Sequence, residues 1–308
     1  MDAVTRTGQV WSPVITPFNE RLDPDARRFA AHCQWLIDQD VGLAIFGTNS
    51  EANSLTVQEK CRLLDALVEQ GVSGERLMPG VGSCSIGDTV ALTQHVVKSG
   101  GANVLMLPPF YYKGVSEEGL FRYFSEVIER AGSSNLRVYL YHIPPVSQVP
   151  ISLALVERLK KRYPTTIAGL KDSSGEWENT ASLIDAFGDD MNIYAGSEHF
   201  LLQTLRAGGA GCISATANVN PAPIAALARH FQKEDADSHQ QVLSQVRRVF
   251  EGFPMIPALK TAAAHYGGDD TWNRLRPPLV ELSKHQCNEL CQALDELNFS
   301  MPDYATSV

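Results

Sequence analysis

The feature that most restricts how this chain can fold is an alternation of short apolar runs with segments of helical periodicity. Eight such pairs occupy residues 10–231, with the apolar runs at 10–18, 41–46, 77–81, 103–107, 137–141, 166–170, 192–195 and 211–215. The runs are apolar throughout rather than alternating, as expected of strands covered on both faces in a parallel sheet. Between them, Phe29, Cys33, Leu36 and Ile37, and then Leu63, Leu64, Leu67 and Val68, recur at helical spacing. Asp23-Pro24 predicts the opening of the first helix, with the proline at its first position. Thr56 with Glu59 is a capping-box pattern for the second. Eight units in about 230 residues predict an α/β fold of the (β/α)8 TIM barrel type. No Gly-x-Gly-x-x-Gly follows the first run, which argues against a dinucleotide fold. Residues 1–232 are therefore assigned to the barrel. Residues 233–308, with Val242, Val246, Val249 and Leu290, Leu294, Leu297 at helical spacing, are assigned to a C-terminal helical extension packed on the barrel or on a neighbouring subunit.

Charge and cysteine usage narrow the function. A formal net charge of −9 argues against nucleic-acid and anionic-membrane partners, because the one basic cluster is Lys160-Lys161-Arg162. The apolar runs are too short to span a bilayer, and the N-terminus has no apolar signal core. The six cysteines are scattered, which predicts reduced thiols and a cytoplasmic protein. Cys287 and Cys291 lie one helical turn apart with only His285 nearby, so no metal site is expected.

In such a barrel the loops after the strands converge on one mouth. The polar residues expected there are Thr16, Thr48, Asn49, Ser50, Glu51, Tyr111, Tyr112, Lys113, Tyr141, His142, Lys171, Asp172, Ser173, Ser197, Glu198, His199, Ser214, Thr216 and Asn218. Lys171 ends the sixth run and stands out. A strand-end lysine ordinarily turns to solvent; one held among apolar walls is costly to keep charged, and its neutral amine attacks carbonyl carbon. By strand alternation, His142 and Asp172 point away from the mouth if Tyr141 and Lys171 point into it. His199 and Glu198 either line a specificity pocket or cap a helix.

Gly169-Leu-Lys-Asp-Ser-Ser174, Tyr141-His-Ile-Pro144, Gly47-Thr-x-x-Glu51, Pro109-Phe-Tyr-Tyr-Lys113, Gly208-Gly-Ala-Gly-Cys-Ile-Ser214 with Thr216-Ala-Asn-Val219, and Arg276-Pro-Pro-Leu-Val280 appear in order. Together they resemble the dihydrodipicolinate synthase/N-acetylneuraminate lyase family of pyruvate-dependent class I aldolases. The resemblance implies that Lys171 forms an imine with C2 of a 2-oxo acid and that Tyr141 shuttles protons. It implies that Thr48 links Tyr141 to Tyr111, a tyrosine that in many relatives crosses from the adjacent subunit. It also implies that the backbone N–H groups of Thr48, Asn49 and Ser50 hold the substrate carboxylate and that the Ile213 carbonyl faces the pyruvyl end. Ser197 and Glu198 are carried as substrate-binding candidates. No cofactor is implied, since the protonated imine is itself the electron sink. A homo-oligomer, dimer or tetramer, is implied as well.

Two departures from the family pattern matter. Many relatives have a hydroxyl residue and a glycine where this chain has Asn49 and Ser50. The synthases also carry an arginine a few residues after the catalytic tyrosine, whereas Pro145-Val-Ser-Gln148 supplies none. A semialdehyde carboxylate thereby loses a charge-assisted bond worth roughly 1.5–3 kcal/mol. The leading expectation is a Schiff-base lyase or aldolase that cleaves or condenses a 2-oxo acid, with pyruvate as donor or product, and an aldehyde. The alternatives are 4-hydroxy-tetrahydrodipicolinate synthase, a 2-oxo-3-deoxy sugar acid dehydratase, and a catalytically weak 2-oxo acid binding protein.

Overall fold

A computed structural model describes residues 9–308. The strands are β1 (Gln9–Ser12), β2 (Gly42–Leu43), β3 (Asn103–Met106), β4 (Arg137–His142), β5 (Ile167–Asp172), β6 (Asn192–Ala195) and β7 (Gly211–Ile213). They form a seven-stranded sheet in the order β2-β1-β7-β6-β5-β4-β3, parallel at every pairing. Residues 77–81, expected as a further strand, make only isolated parallel bridges, Leu77 with Leu43 and Gly80 with Leu105. The reason is Pro79, which has no N–H and so interrupts the ladder. The segment still bonds to both edges of the sheet. Met78 and Gly80 donate to the Leu43 and Ile45 carbonyls at 2.9 and 2.7 Å, while Leu105 donates to the Pro79 carbonyl at 2.9 Å. Gly80 lies so close to Phe46 that a Cβ there would stand 2.2 Å from the Phe46 carbonyl oxygen.

Between the strands come α1 (Ala26–Asp38), α2 (Val57–Glu69), α3 (Ile86–Lys98), α4 (Glu117–Ala131), α5 (Pro144–Ser147), α6 (Leu153–Arg162), α7 (Trp177–Phe187) and α8 (Leu201–Arg206). After β7 follow α9 (Pro221–Arg229), α10 (Ala236–Glu251), α11 (Met255–Gly267), α12 (Lys284–Glu296) and α13 (Tyr304–Ser307). The first helix starts later than the Asp23-Pro24 pattern predicts. Asp25 is its N-cap, accepting from the Arg28 N–H at 3.0 Å, while Pro24 is drawn into a bridge with Phe18. The Thr56–Glu59 capping box forms as read.

One face of the sheet buries Trp11, Leu105, Tyr139, Tyr141, Tyr194 and Ile213 against one another. The other packs Val104, Val138, Leu140, Ile167, Leu170 and Ile193 into a core that also takes in residues of α1, α2, α11, α12 and α13. The helices that follow α9 therefore share their apolar core with the helices that cover the sheet.

His32 of α1 is sealed in that core by aromatic rings. Its ring lies 5.2 Å from Trp272, 5.6 Å from Tyr304 and 6.0 Å from Trp35, centroid to centroid. Its Nε2 is 3.3 Å from Asn218 Oδ1, and its Nδ1 has no partner among the described residues. Burial pushes the imidazole down to about 4, only partly opposed by the Asn218 bond. The unfolded chain therefore takes up a proton near pH 6.5 that the folded chain refuses until about pH 4. Stability from this group is complete above pH 6.5 and is lost as pH falls through that window. Denaturant titrations at stepped pH should show about 3 kcal/mol of acid destabilisation that is missing from His32→Phe. Equal slopes in the two proteins would refute this role.

Lys260 of α11 and Glu51 are both fully buried and form an ion pair. Lys260 also donates to the Arg274 carbonyl at 2.7 Å, and its ammonium lies 4.4 Å from the Phe18 ring centroid. The second Glu51 oxygen accepts the Arg276 N–H at 3.1 Å. Lys260→Met would strand the Glu51 charge in the interior and should cost about 3–5 kcal/mol in chemical denaturation. A companion Glu51→Leu change should restore part of that loss. A single-variant cost under about 1 kcal/mol, the scale of a surface pair, would contradict the assignment.

Candidate active site

Lys171 lies inside β5 rather than after it, in register with Tyr141 on β4 and Tyr194 on β6. Its inward direction depends on an irregularity. Val138 pairs with Ile167, but Tyr139 pairs with Gly169, so Ala168 is an extra residue in β5. Strict alternation from Ile167, which packs under the helices, would place residue 171 on that same face. The bulge shifts the phase by one residue and turns Lys171 onto the face carrying Tyr139 and Tyr141. Lys171 is 2% exposed, and its ammonium nitrogen is 4.3 Å from the Tyr141 ring centroid. Among the described residues it has no hydrogen bond or ion pair.

The Tyr141 hydroxyl is 3.2 Å from Thr48 Oγ1. Thr48 opens the 3-10 turn Thr48–Ser50, which follows β2 and leads into Glu51 in the left-handed region at φ 55. The turn is fixed from below, since Thr16 Oγ1 donates to the Ser50 carbonyl at 2.8 Å and the Gly47 N–H donates to Ser50 Oγ at 3.1 Å. Ser50 is fully buried, and its own N–H donates to the Gly47 carbonyl at 3.1 Å. It therefore presents no donor to the cavity, unlike the expectation for it. Thr48 and Asn49 line the cavity, and their N–H groups have no acceptor among the described residues.

Lys171, Tyr141, Thr48, Asn49 and Ser197 surround a cavity of about 510 Å3. Asp172 turns away from Lys171, as alternation predicts. Its oxygens accept from the Ser174 N–H at 3.0 Å and from Thr180 Oγ1 at 2.6 Å. His142 is structural, its Nδ1 accepting the Ile151 N–H at 3.0 Å. Burial lowers its basicity, with Asp172 pulling the other way. Ile213 is buried at the end of β7, in register with Trp11, and its side chain does not line the cavity. Tyr111 is 74% exposed and packs edge-on against Tyr112, so within one chain Thr48 meets Tyr141 alone.

Glu198 departs from its expected place. It is fully buried and absent from the cavity wall, and Ser214 and Thr216 each donate a hydroxyl to its carboxylate. Ser197 Oγ, not Glu198, caps the short turn, accepting the His199 N–H at 3.2 Å. The cavity instead receives two residues of α10 that the sequence did not single out. Arg247 Nε donates to Glu251 Oε1 at 2.8 Å, and Arg247 Nη1 is 3.6 Å from Glu198 Oε2. His199 Nε2 is 3.1 Å from Glu251 Oε2. Burial pushes the Glu251 carboxyl up, but the Arg247 bond and charge together with the His199 contact outweigh it and hold the group below its usual range. The i,i+4 spacing of Arg247 and Glu251 was visible as a helical ion pair. Its position over the cavity follows from how α10 packs on the 198–200 turn.

This arrangement has counterparts among known proteins. Residues 6–297 match the model of the dihydrodipicolinate synthetase family. The chain is 33% identical over 290 residues to a DapA-like lyase of Chloroflexus aurantiacus, covering 93% of this chain and 95% of that protein. Among solved structures it resembles dihydrodipicolinate synthase from Agrobacterium tumefaciens, with a TM-score of 0.87, 32% identity and coverage of 94% and 99% of the two chains. It also resembles YagE of Escherichia coli K12, solved with pyruvate, with a TM-score of 0.86, 26% identity and coverage of 95% and 99%. With a match over nearly its whole length, and with Lys171, Tyr141 and Thr48 brought together at one cavity, the chain belongs to the dihydrodipicolinate synthetase family.

Proposed function

We propose that this protein is a class I lyase or aldolase that joins or separates pyruvate and an aldehyde through an imine on Lys171. The observation that carries this reading is the Lys171 amine itself, buried at the cavity wall beside the Tyr141 ring and, among the described residues, without a hydrogen-bond or ion-pair partner. The pyruvate bound in the related YagE structure supports the choice of 2-oxo acid.

On this reading the neutral Lys171 amine adds to C2 of pyruvate, water leaves, and the resulting imine nitrogen takes up a proton from solvent, giving a protonated imine. Loss of a proton from C3 yields an enamine, the positive nitrogen having drawn in the electron pair, and C3 then attacks the aldehyde carbon. The Tyr141 hydroxyl carries the proton to or from the aldehyde oxygen, with Thr48 holding it in line. The free N–H groups of Thr48 and Asn49 take the pyruvate carboxylate. Hydrolysis of the imine releases the product, and cleavage runs the same steps in reverse. The chain's own amine supplies the electron sink, so no cofactor enters the scheme.

We read the curled sheet and its helices as the (β/α)8 barrel assigned to residues 1–232, of which 1–8 lie outside the described residues, supported by the bonds from residues 77–81 to both sheet edges. Residues 233–308 form its helical extension, and α10 completes the cavity. The exposed Tyr111–Tyr112 pair supports a homo-oligomer in which Tyr111 enters a neighbour's site.

Borohydride reduction with pyruvate should add one reduced pyruvyl group to Lys171, detected by peptide mass spectrometry. No adduct with pyruvate or other 2-oxo acids would remove the imine mechanism. Thr48→Val should keep that adduct while lowering kcat on the order of tenfold to a hundredfold, because the proton-carrying phenol loses its partner. An unchanged kcat would show that Thr48 does not position Tyr141.

A further inference from the structure

The end of the cavity formed by α10 carries its own charge pattern, and it bears on the second substrate. Arg247 is the cation there, but two carboxylates already share it. Glu251 accepts from its Nε at 2.8 Å, and the fully buried Glu198 lies 3.6 Å from its Nη1. Glu198 cannot be displaced by a ligand, since it is absent from the cavity wall and both its oxygens are held by Ser214 and Thr216. Glu251 does face the cavity, and its side chain is 42% exposed. Among the groups of fixed charge at this end, one guanidinium stands against two carboxylates, and their sum is negative.

We infer that Glu251 sets the charge of this subsite and restricts the second substrate to an aldehyde whose far end carries hydroxyl groups and no carboxylate. The inference rests on the Lys171 imine reading above. A hydroxyl satisfies both partners at once, donating to Glu251 and accepting from Arg247 Nη2, which has no partner among the described residues. Ser197 and His199 add polar contacts on the same side. A carboxylate meets a site whose positive charge is already neutralised and whose surplus is negative, so like-charge repulsion excludes it.

The test compares two four-carbon aldehydes, erythrose and succinic semialdehyde, each condensed with pyruvate by the full-length protein. Wild type should show the higher kcat/KM with erythrose. Glu251→Gln keeps the shape and removes the charge, and should move the ratio towards succinic semialdehyde by tenfold or more. A smaller change, or a wild type that prefers succinic semialdehyde, would overturn the inference, and the wild-type preference decides alone if the variant does not fold. A wild type that traps pyruvate but turns over neither aldehyde overturns it too. Failure to trap pyruvate at all overturns the imine reading and this inference together, whereas trapping with an unshifted ratio overturns this inference only.

Discussion

The buried pair between Glu51 and Lys260 ties the chemistry to the fold. Removing two charges from water is expensive, and the cost is offset only where the remaining donors and acceptors find partners. Here they do: Lys260 reaches the Arg274 carbonyl and the Phe18 ring, and Glu51 takes the Arg276 N–H. The pair therefore joins the turn after β2, helix α11 and the segment around residues 274–276. The Arg276 guanidinium extends the clamp, donating to the Leu22 carbonyl at 2.8 Å and pairing with Glu59 at the start of α2. That pairing lowers the Glu59 carboxyl to about 2. The Thr48–Ser50 turn, with its free N–H groups, is thus held from the C-terminal half of the chain.

Much of this was legible in the sequence. The alternation of apolar runs and helical segments indicates a parallel sheet covered by helices, and the family motifs mark Lys171, Tyr141 and Thr48, which the structure brings together. What could not be read depends on contacts distant in sequence. Ser50 has the same backbone N–H whether it faces a ligand or the Gly47 carbonyl, and only the curvature of the turn decides. Glu198 could as well line a pocket as be buried; the Ser214 and Thr216 hydroxyls that bury it come from the loop after β7. Arg247 and Glu251 resemble any solvent-facing helical ion pair until α10 is packed against the cavity.

The direction of Lys171 is a subtler case. Period-two alternation is the usual guide to which side chains face inward, and counted from Ile167 it would point this lysine towards the helices. One extra residue, Ala168, corrects the phase. Gly169 fits the same detour, because a Cβ there would come 2.5 Å from the Tyr139 ring. The bulge and the glycine beside it are thus part of what presents the amine, although neither touches a ligand.

The interrupted ladder at Pro79 has a mechanical meaning. Residues 77–81 are the seam at which the sheet's two edges meet, and Pro79, which has no N–H, bonds there through its carbonyl alone. Gly80 rests directly on Phe46, which is itself held in the left-handed region at φ 62, immediately before Gly47 and Thr48. A breathing motion that widened the seam would be felt first at that residue and would draw Thr48 away from Tyr141. The closure of the sheet and the Thr48–Tyr141 contact are thus set by one line of backbone contacts, from Gly80 through Phe46 to Thr48.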